Sequence, residues 1–239
     1  MALHLIILAG GFGTRLKPIS KSTPKALMPV GDYIYLDLLL DRIIKYNIDH
    51  CYLSLHYKPD LFLEYINSSK MKNILTPIIE PEPLGTGGAI NYVIQNFSIS
   101  SPFFTINGDS LSDINLDQMV AEFKNRKLMA MMGISELENV NRYGMVIEKD
   151  GDVLSFKEKD AKGSGWINNG HYIFKKEAFD GFSGIFSLEN ELFPKLLQNK
   201  DLGAFRVAKD NFIDMGIAEE YFKLNERGFI NYENEKSNP

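Results

Sequence analysis

The residues best placed to do chemistry are a cluster of glycines and cations near the N-terminus and two aspartates far downstream. The first group is Leu8-Ala9-Gly10-Gly11-Phe12-Gly13-Thr14-Arg15-Leu16. Glycines let a backbone approach a ligand closely, and successive N–H groups form a nest for anions. Arg15 closes this loop. Lys25 follows in Thr23-Pro24-Lys25-Ala26-Leu27-Met28-Pro29-Val30, where two prolines restrain the chain around it. Leu16 occupies the place of a third glycine, so the dinucleotide fingerprint fails, and the Gly-Lys-Ser/Thr ending of a P-loop is missing. Singly, these are tight-turn glycines and solvated surface cations. Together they read as a polyphosphate site.

Asp109 ends Thr105-Ile106-Asn107-Gly108-Asp109, and Asp214 lies in Asn211-Phe212-Ile213-Asp214-Met215-Gly216, each just after an apolar run. A turn or a helix cap accounts for either one alone. As a pair they suit Mg²⁺, which binds one or two carboxylates and completes its shell with water and phosphate oxygens. The four histidines are scattered, and most read as structural or exposed.

The elements that must position these residues alternate between strand and helix in the first half. Apolar runs predict strands at Leu3–Ala9, Cys51–His56, Ile74–Ile79 and Phe103–Ile106, with Pro77 marking the third as an edge or an irregular end. Helical spacing falls over 33–47, 60–66 and 88–96. That order predicts an α/β fold, a mixed and mostly parallel Rossmann-like sheet flanked by helices, with ligands beyond the carboxyl ends of strands. The second half predicts strands at 129–134, 145–148, 153–157 and 166–174, a hairpin turn at 149–152, and helices opening at Ser187 and over 217–227. Those strands read as a small antiparallel insertion on the substrate side. One domain over 1–229 is expected, nucleotide-binding over about 1–125 and sugar-binding over about 126–229, before a polar tail at 230–239.

Composition narrows the choices. Of 239 residues, 44% are apolar and 24% charged, an ordinary globular balance. The net charge of −5 supplies no field to recruit nucleic acid, so phosphate must be held by local cations, backbone N–H groups and metal. Cys51 is the single cysteine, which excludes an internal disulfide and a cysteine cluster and leaves a packed thiol. No apolar run approaches the roughly 20 residues of a membrane span, and no signal peptide opens the chain, so the cytoplasm is the expected location.

Leu-Ala-Gly-Gly-x-Gly-Thr-Arg-Leu followed by Pro-Lys-x-Leu-x-Pro-Val resembles the signature of the sugar-1-phosphate nucleotidyltransferases, the sugar-nucleotide pyrophosphorylases. The resemblance runs from Leu5 to about Tyr221. It implies a Rossmann-like domain that binds an NTP and a sugar 1-phosphate and uses Mg²⁺. It assigns the phosphates and departing pyrophosphate to Arg15 and Lys25, and the nucleotide to Leu8, Gly10, Gly11, Gly13, Thr14 and Gly108. The metal falls to Asp109 and Asp214. Pro-Leu-Gly-Thr-x-Gly matches a base-binding loop, here Glu80, Pro83, Gly85 and Thr86. A carboxylate only accepts hydrogen bonds, and guanine offers adjacent N1–H and N2–H₂ donors, which favours GTP with Glu80 as the reader.

On the sugar side, Glu158 and Lys159 match a Glu-Lys pair, and Asn168-Asn169-Gly170-His171-Tyr172 matches an Asn-x-Gly-x-Tyr strand, with Asn169 where glycine is frequent. Gly144, in Arg142-Tyr143-Gly144, resembles a sugar-proximal element. Ser187-Leu188-Glu189 resembles a segment of the heptose-1-phosphate guanylyltransferase branch. The implied acceptor is D-glycero-D-manno-heptose 1-phosphate, with mannose or another hexose 1-phosphate second, for surface polysaccharide synthesis. UTP stays as the other nucleotide. Small dimers are common in the family, which leaves a homodimer as an open expectation. The implied chemistry is in-line attack on the α-phosphorus without an enzyme nucleophile. The rival readings are a non-catalytic sugar-nucleotide-binding module and, behind it, a glycosyltransferase.

Overall fold

The computed structural model describes residues 3–13, 16, 22–157, 163–207 and 212–227. Leu5, Ile6 and Ile7 in strand β1 (Leu3–Leu8) are all fully buried, a pattern that only a central strand covered on both faces produces. The chain continues through a single 3-10 turn at Lys25–Leu27, the short strands β2 (Pro29–Val30) and β3 (Tyr33–Ile34), helix α1 (Tyr35–Ile43), β4 (Ile48–Leu55), α2 (Pro59–Ser68), β5 (Leu75–Ile79), α3 (Gly85–Asn96), β6 (Phe103–Asn107) and β7 (Ser110–Leu111). The second half adds α4 (Leu116–Arg126), β8 (Ala130–Leu137), β9 (Met145–Lys149), β10 (Asp152–Lys157) and β11 (Gly165–Phe174). It ends with α5 (Phe193–Gln198), β12 (Leu202–Val207), β13 (Ile213–Asp214) and α6 (Ala218–Arg227).

Nine strands form one sheet in the order β5-β4-β1-β6-β11-β8-β12-β10-β9. The first four run parallel, β11 runs antiparallel to β6 and β8, and β12 lies parallel to β8. The α/β class and the flanking helices match the expectation. Pro77 lies in β5, the edge strand, where a missing N–H does no harm. The second-half strands do not stand apart as a cover: they continue the sheet from its parallel half. Strand β12 went unread in the sequence, yet it joins β8 to the hairpin. That hairpin has the expected turn, with positive φ at Asp150 and Gly151 and Lys149 paired with Asp152.

Each face of the sheet carries its own apolar layer. Leu5, Ile7, Leu53 and Ile106 pack against α1, α2, α4 and α6, through Leu36, Phe62, Met119 and Tyr221. Ile6, Phe103 and Tyr172 pack on the other face against α3, α5 and the turn before α5, through Ile90, Leu192 and Phe193. Cys51 is buried in the first layer, and burial pushes its thiol up, so it is a packed and unreactive side chain. Helix α1 covers only part of the expected 33–47, because Tyr33 and Ile34 pair with β2 instead.

Candidate active site

Strand register decides what shares a rim. Leu8 lies opposite Ser54 on one side and Asn107 on the other, and Leu55 lies opposite Ile79. The four parallel strands therefore end together and release the glycine loop, His56, Glu80 and Gly108-Asp109 at one edge. Between them lies a cavity of about 330 Å³. Leu8, Gly10, Gly11, Gly13, Lys25, Glu80, Pro83, Gly85, Thr86, Gly108 and Asp109 all line it. Thr14, Arg15, Glu158 and Lys159 lie outside the described residues.

Lys25 sits on the 3-10 turn between Pro24 and Pro29, and its ammonium donates to Asp109 Oδ2 at 2.9 Å. Gly13, with φ of +60°, lets that lysine pass: a Cβ there would come within 3.0 Å of Lys25 Cγ. Glu80 is buried, its Oε1 accepting from the Ser54 hydroxyl at 2.9 Å and its Oε2 from the Leu84 N–H at 3.2 Å. Each oxygen of a carboxylate has about two acceptor sites, so Glu80 keeps one on each for a ligand.

Asp214 is brought next to the Asp109 backbone by a strand more than a hundred residues later. Strand β13 pairs antiparallel with β7, setting Asp214 opposite Ser110, while the Met215 N–H donates to the Asp109 carbonyl at 2.8 Å. The buried Asp214 carboxylate accepts from the Gly216 N–H at 2.6 Å. Beside the two acids, the fully buried Tyr35 hydroxyl has no hydrogen-bond partner among the described residues. Burial, and then the fields of Asp109 and Asp214, push its pKa well above the usual tyrosine value. The two acids are thus joined through backbone pairing, Asp109 in the cavity lining and Asp214 just behind it, outside that lining. The donors fit Mg²⁺, which would draw its remaining ligands from phosphate and water, since no group of three or more His, Cys, Asp or Glu is assembled among the described residues.

The family model for nucleotidyl transferases matches residues 4–228. The chain belongs to the nucleotidyl transferase family. A heptose enzyme of Campylobacter jejuni, D-glycero-alpha-D-manno-heptose 1-phosphate guanylyltransferase, is 32% identical over 92% of this chain and 97% of its own. A putative mannose-1-phosphate guanyltransferase of Sulfolobus acidocaldarius is 28% identical over 92% of this chain, which spans 61% of that longer protein. The crystal structure of HddC from Yersinia pseudotuberculosis complexed with GMP-PN superposes with a TM-score of 0.83 at 33% identity, covering 94% of this chain and 99% of that one.

In this nucleotidyltransferase the expected base loop is partly helix. Helix α3 begins at Gly85, and its first free N–H groups do not all wait for a ligand: those of Gly87 and Gly88 donate to the Phe186 carbonyl at 3.0 and 3.1 Å. The glycines serve that contact. A Cβ on Gly87 would lie 2.3 Å from the Phe186 ring, and one on Gly88 2.5 Å from the Gly184 carbonyl.

The two asparagines of β11 separate. Asn168 hydrogen-bonds the Tyr172 hydroxyl at 2.9 Å and, through Oδ1, the Gly170 N–H at 3.0 Å. Gly170 packs against Asn107, which lines the cavity. Asn169 was expected at the sugar. It is fully buried on the opposite side, its side-chain Nδ2 bonding the Ser112 and Ser135 hydroxyls and its Oδ1 accepting from the His171 N–H. Alternation along a strand imposes this: neighbours face opposite ways, which leaves Asn168 on the Tyr172 side. Gly144 does not line the cavity. Its segment is tied towards β13 and α6, with Tyr143 edge-on to Phe212 and Arg142 paired to Glu219 at 3.0 Å.

The cavity also uses residues that no motif flagged. His56 was grouped with the structural histidines, yet it lines the site, as do Phe12, Ala26, Ala89 and Asn107. Phe12 is 48% exposed and packs edge-on to His56 at 5.7 Å. Asn107 stood in the motif only as context for Asp109. His171 does behave structurally: it is buried, and its Nδ1 contacts the Asn169 carbonyl at 3.1 Å. No helix among the described residues is long and apolar enough to cross a membrane.

Proposed function

We propose that this nucleotidyltransferase moves the guanylyl group of GTP onto D-glycero-D-manno-heptose 1-phosphate, giving a GDP-heptose and pyrophosphate for surface polysaccharide synthesis in the cytoplasm. The observation that carries the reading is the Lys25–Asp109 pair at the mouth of the glycine-lined cavity, in a chain aligned end to end with a heptose guanylyltransferase. Lys25 and Asp109 stand side by side in the lining, and among the described residues that lining contains no Ser-His or Cys-His pair. That composition suits direct transfer between phosphates, where alignment and charge stabilisation do the catalytic work.

In this mechanism the backbone of Gly10, Gly11 and Gly13 cradles the triphosphate, and Arg15 holds the departing pyrophosphate. Lys25 neutralises charge that builds on the α-phosphate as the sugar phosphate oxygen attacks in line. Glu80 accepts from guanine N1–H and N2–H₂. Asp109 and Asp214 would hold Mg²⁺, whose chemistry is to bind phosphate oxygens and offset their charge. Glu158 and Lys159 take the sugar hydroxyls and the sugar phosphate. The chain works as one domain, and pairing into a homodimer is part of the same reading.

The test is a matrix of GTP, UTP, CTP and dTTP against heptose, mannose and glucose 1-phosphates with Mg²⁺, followed by pyrophosphate release. GTP with the heptose phosphate is expected to give the highest kcat/KM. Preference for mannose 1-phosphate moves the acceptor to the hexose class. No release with any pair leaves a binding module.

A further inference from the structure

One carboxylate beside the cavity has no part in the mechanism above. Glu189 lies in a single π-helical turn, Leu188–Leu192, just ahead of α5. The turn does not need Glu189 for its own start. Ser187 caps it by accepting from the Glu189 and Asn190 N–H groups, and the Ser187 N–H donates back to Glu191 Oε1 at 3.0 Å.

Glu189 instead reaches across the fold. Its Oε2 accepts from two hydroxyls, Thr86 at 2.9 Å and Ser187 at 2.8 Å. Thr86 lines the cavity and in turn accepts from the Leu188 N–H at 2.9 Å, so the nucleotide-side helix and this turn are locked together. The second oxygen, Oε1, bonds nothing among the described residues, and the side chain is exposed. Its charge is felt by the buried Tyr172 hydroxyl, where it is the largest contribution after burial to the raised pKa. Tyr172 bonds Asn168 on the strand that faces the site. Glu189 therefore stands between the nucleotide loop and the β11 side of the rim.

An ionised carboxylate only accepts hydrogen bonds and repels phosphate. What it attracts at a rim that takes two phosphorylated substrates is a hydroxyl edge turned away from the phosphates. We propose that Glu189 is a sugar-specificity residue, its free Oε1 accepting from a hydroxyl of the acceptor sugar while Oε2 fixes the carboxylate to Thr86. This rests on the transferase reading and adds to it, beside Glu158, a second protein group that selects a polyol.

The experiment separates an acceptor from a mere clamp. Glu189→Gln keeps the size of the side chain and an oxygen for the Thr86 and Ser187 hydroxyls but removes the charge. In steady-state assays of the full chain, KM for the sugar 1-phosphate is expected to rise about 10- to 100-fold in Glu189→Gln, the usual cost of a lost bond to a charged group. KM for GTP and the melting temperature should hold. A set of monodeoxy sugar 1-phosphates should contain one analogue that the wild type penalises by a similar factor and Glu189→Gln does not, the mark of a direct pair. An active wild type whose Gln variant keeps its sugar KM overturns this inference alone, as does a variant whose GTP KM and melting temperature shift with it. A wild type that turns over no sugar phosphate overturns the transferase reading and this inference together.

Discussion

The Lys25 ammonium lies 2.9 Å from Asp109 Oδ2, the two side chains 14% and 32% exposed. They are brought together by the end of a central strand and a proline-framed turn 84 residues apart. On the proposed function, a bound triphosphate and cation would rearrange this half-buried pair, the acid turning to the metal and the lysine to phosphate.

Lys25→Ala should lower kcat by about 10²–10³, the usual cost of one electrostatic group aimed at developing charge. The far-UV circular dichroism spectrum should be unchanged. Turnover near the wild-type value would remove Lys25 from the reaction.

Asp214→Asn keeps an oxygen for the Gly216 N–H but removes a negative ligand. The Mg²⁺ concentration for half-maximal activity should rise by at least about 10- to 100-fold, the range seen when groups merely supporting a metal are lost. Asp109→Asn should behave alike. An unchanged Mg²⁺ titration in both variants would rule out these two as the metal pair.

Gly87→Ala places a methyl 2.3 Å from the Phe186 ring, so one of them must move. Overpacking of this kind costs about 1–3 kcal/mol, read from the urea midpoint. Adding Phe186→Leu should return part of the loss. A Gly87→Ala protein as stable as the parent would mean the 184–186 segment yields freely.

His171 gives acid stability a defined slope. Burial holds its pKa at about 4, against 6.5 for an ordinary histidine. Between those values the unfolded chain takes up a proton that the folded chain refuses, so stability is full above pH 6.5 and falls as pH drops towards 4. The fall is about 3 kcal/mol, each pKa unit being worth about 1.4. Urea midpoints at pH 7, 6 and 5 should show it in the wild type, and His171→Gln should flatten the slope across that window.

Much of the site was legible because its signals are local. A glycine run after an apolar strand, a lysine between prolines and an acid at a strand end each depend on a few consecutive residues, and the structure gathers them at one cavity. The helix–strand alternation likewise predicts the parallel half, and Pro77 marks its edge. What escaped depends on partners distant in the chain. His56 lines the cavity because β4 lies in register with β1 and β5, a relation that nothing near His56 encodes. Asn169 was placed at the sugar because its neighbours match, but side-chain alternation along β11 turns it to the Ser112 and Ser135 hydroxyls.

The sequence by itself determined which chemical groups this protein has for handling phosphates: flexible backbone, restrained cations and hard oxygen donors, in an otherwise acidic chain. Only the tertiary structure decided which of them meet. Asp214 reaches Asp109 because a two-residue ladder joins β13 to β7, and Gly87 is bound to glycine because Phe186 packs on it. Composition and spacing act along the chain, whereas these contacts follow from strand order and packing, which every part of the fold sets at once.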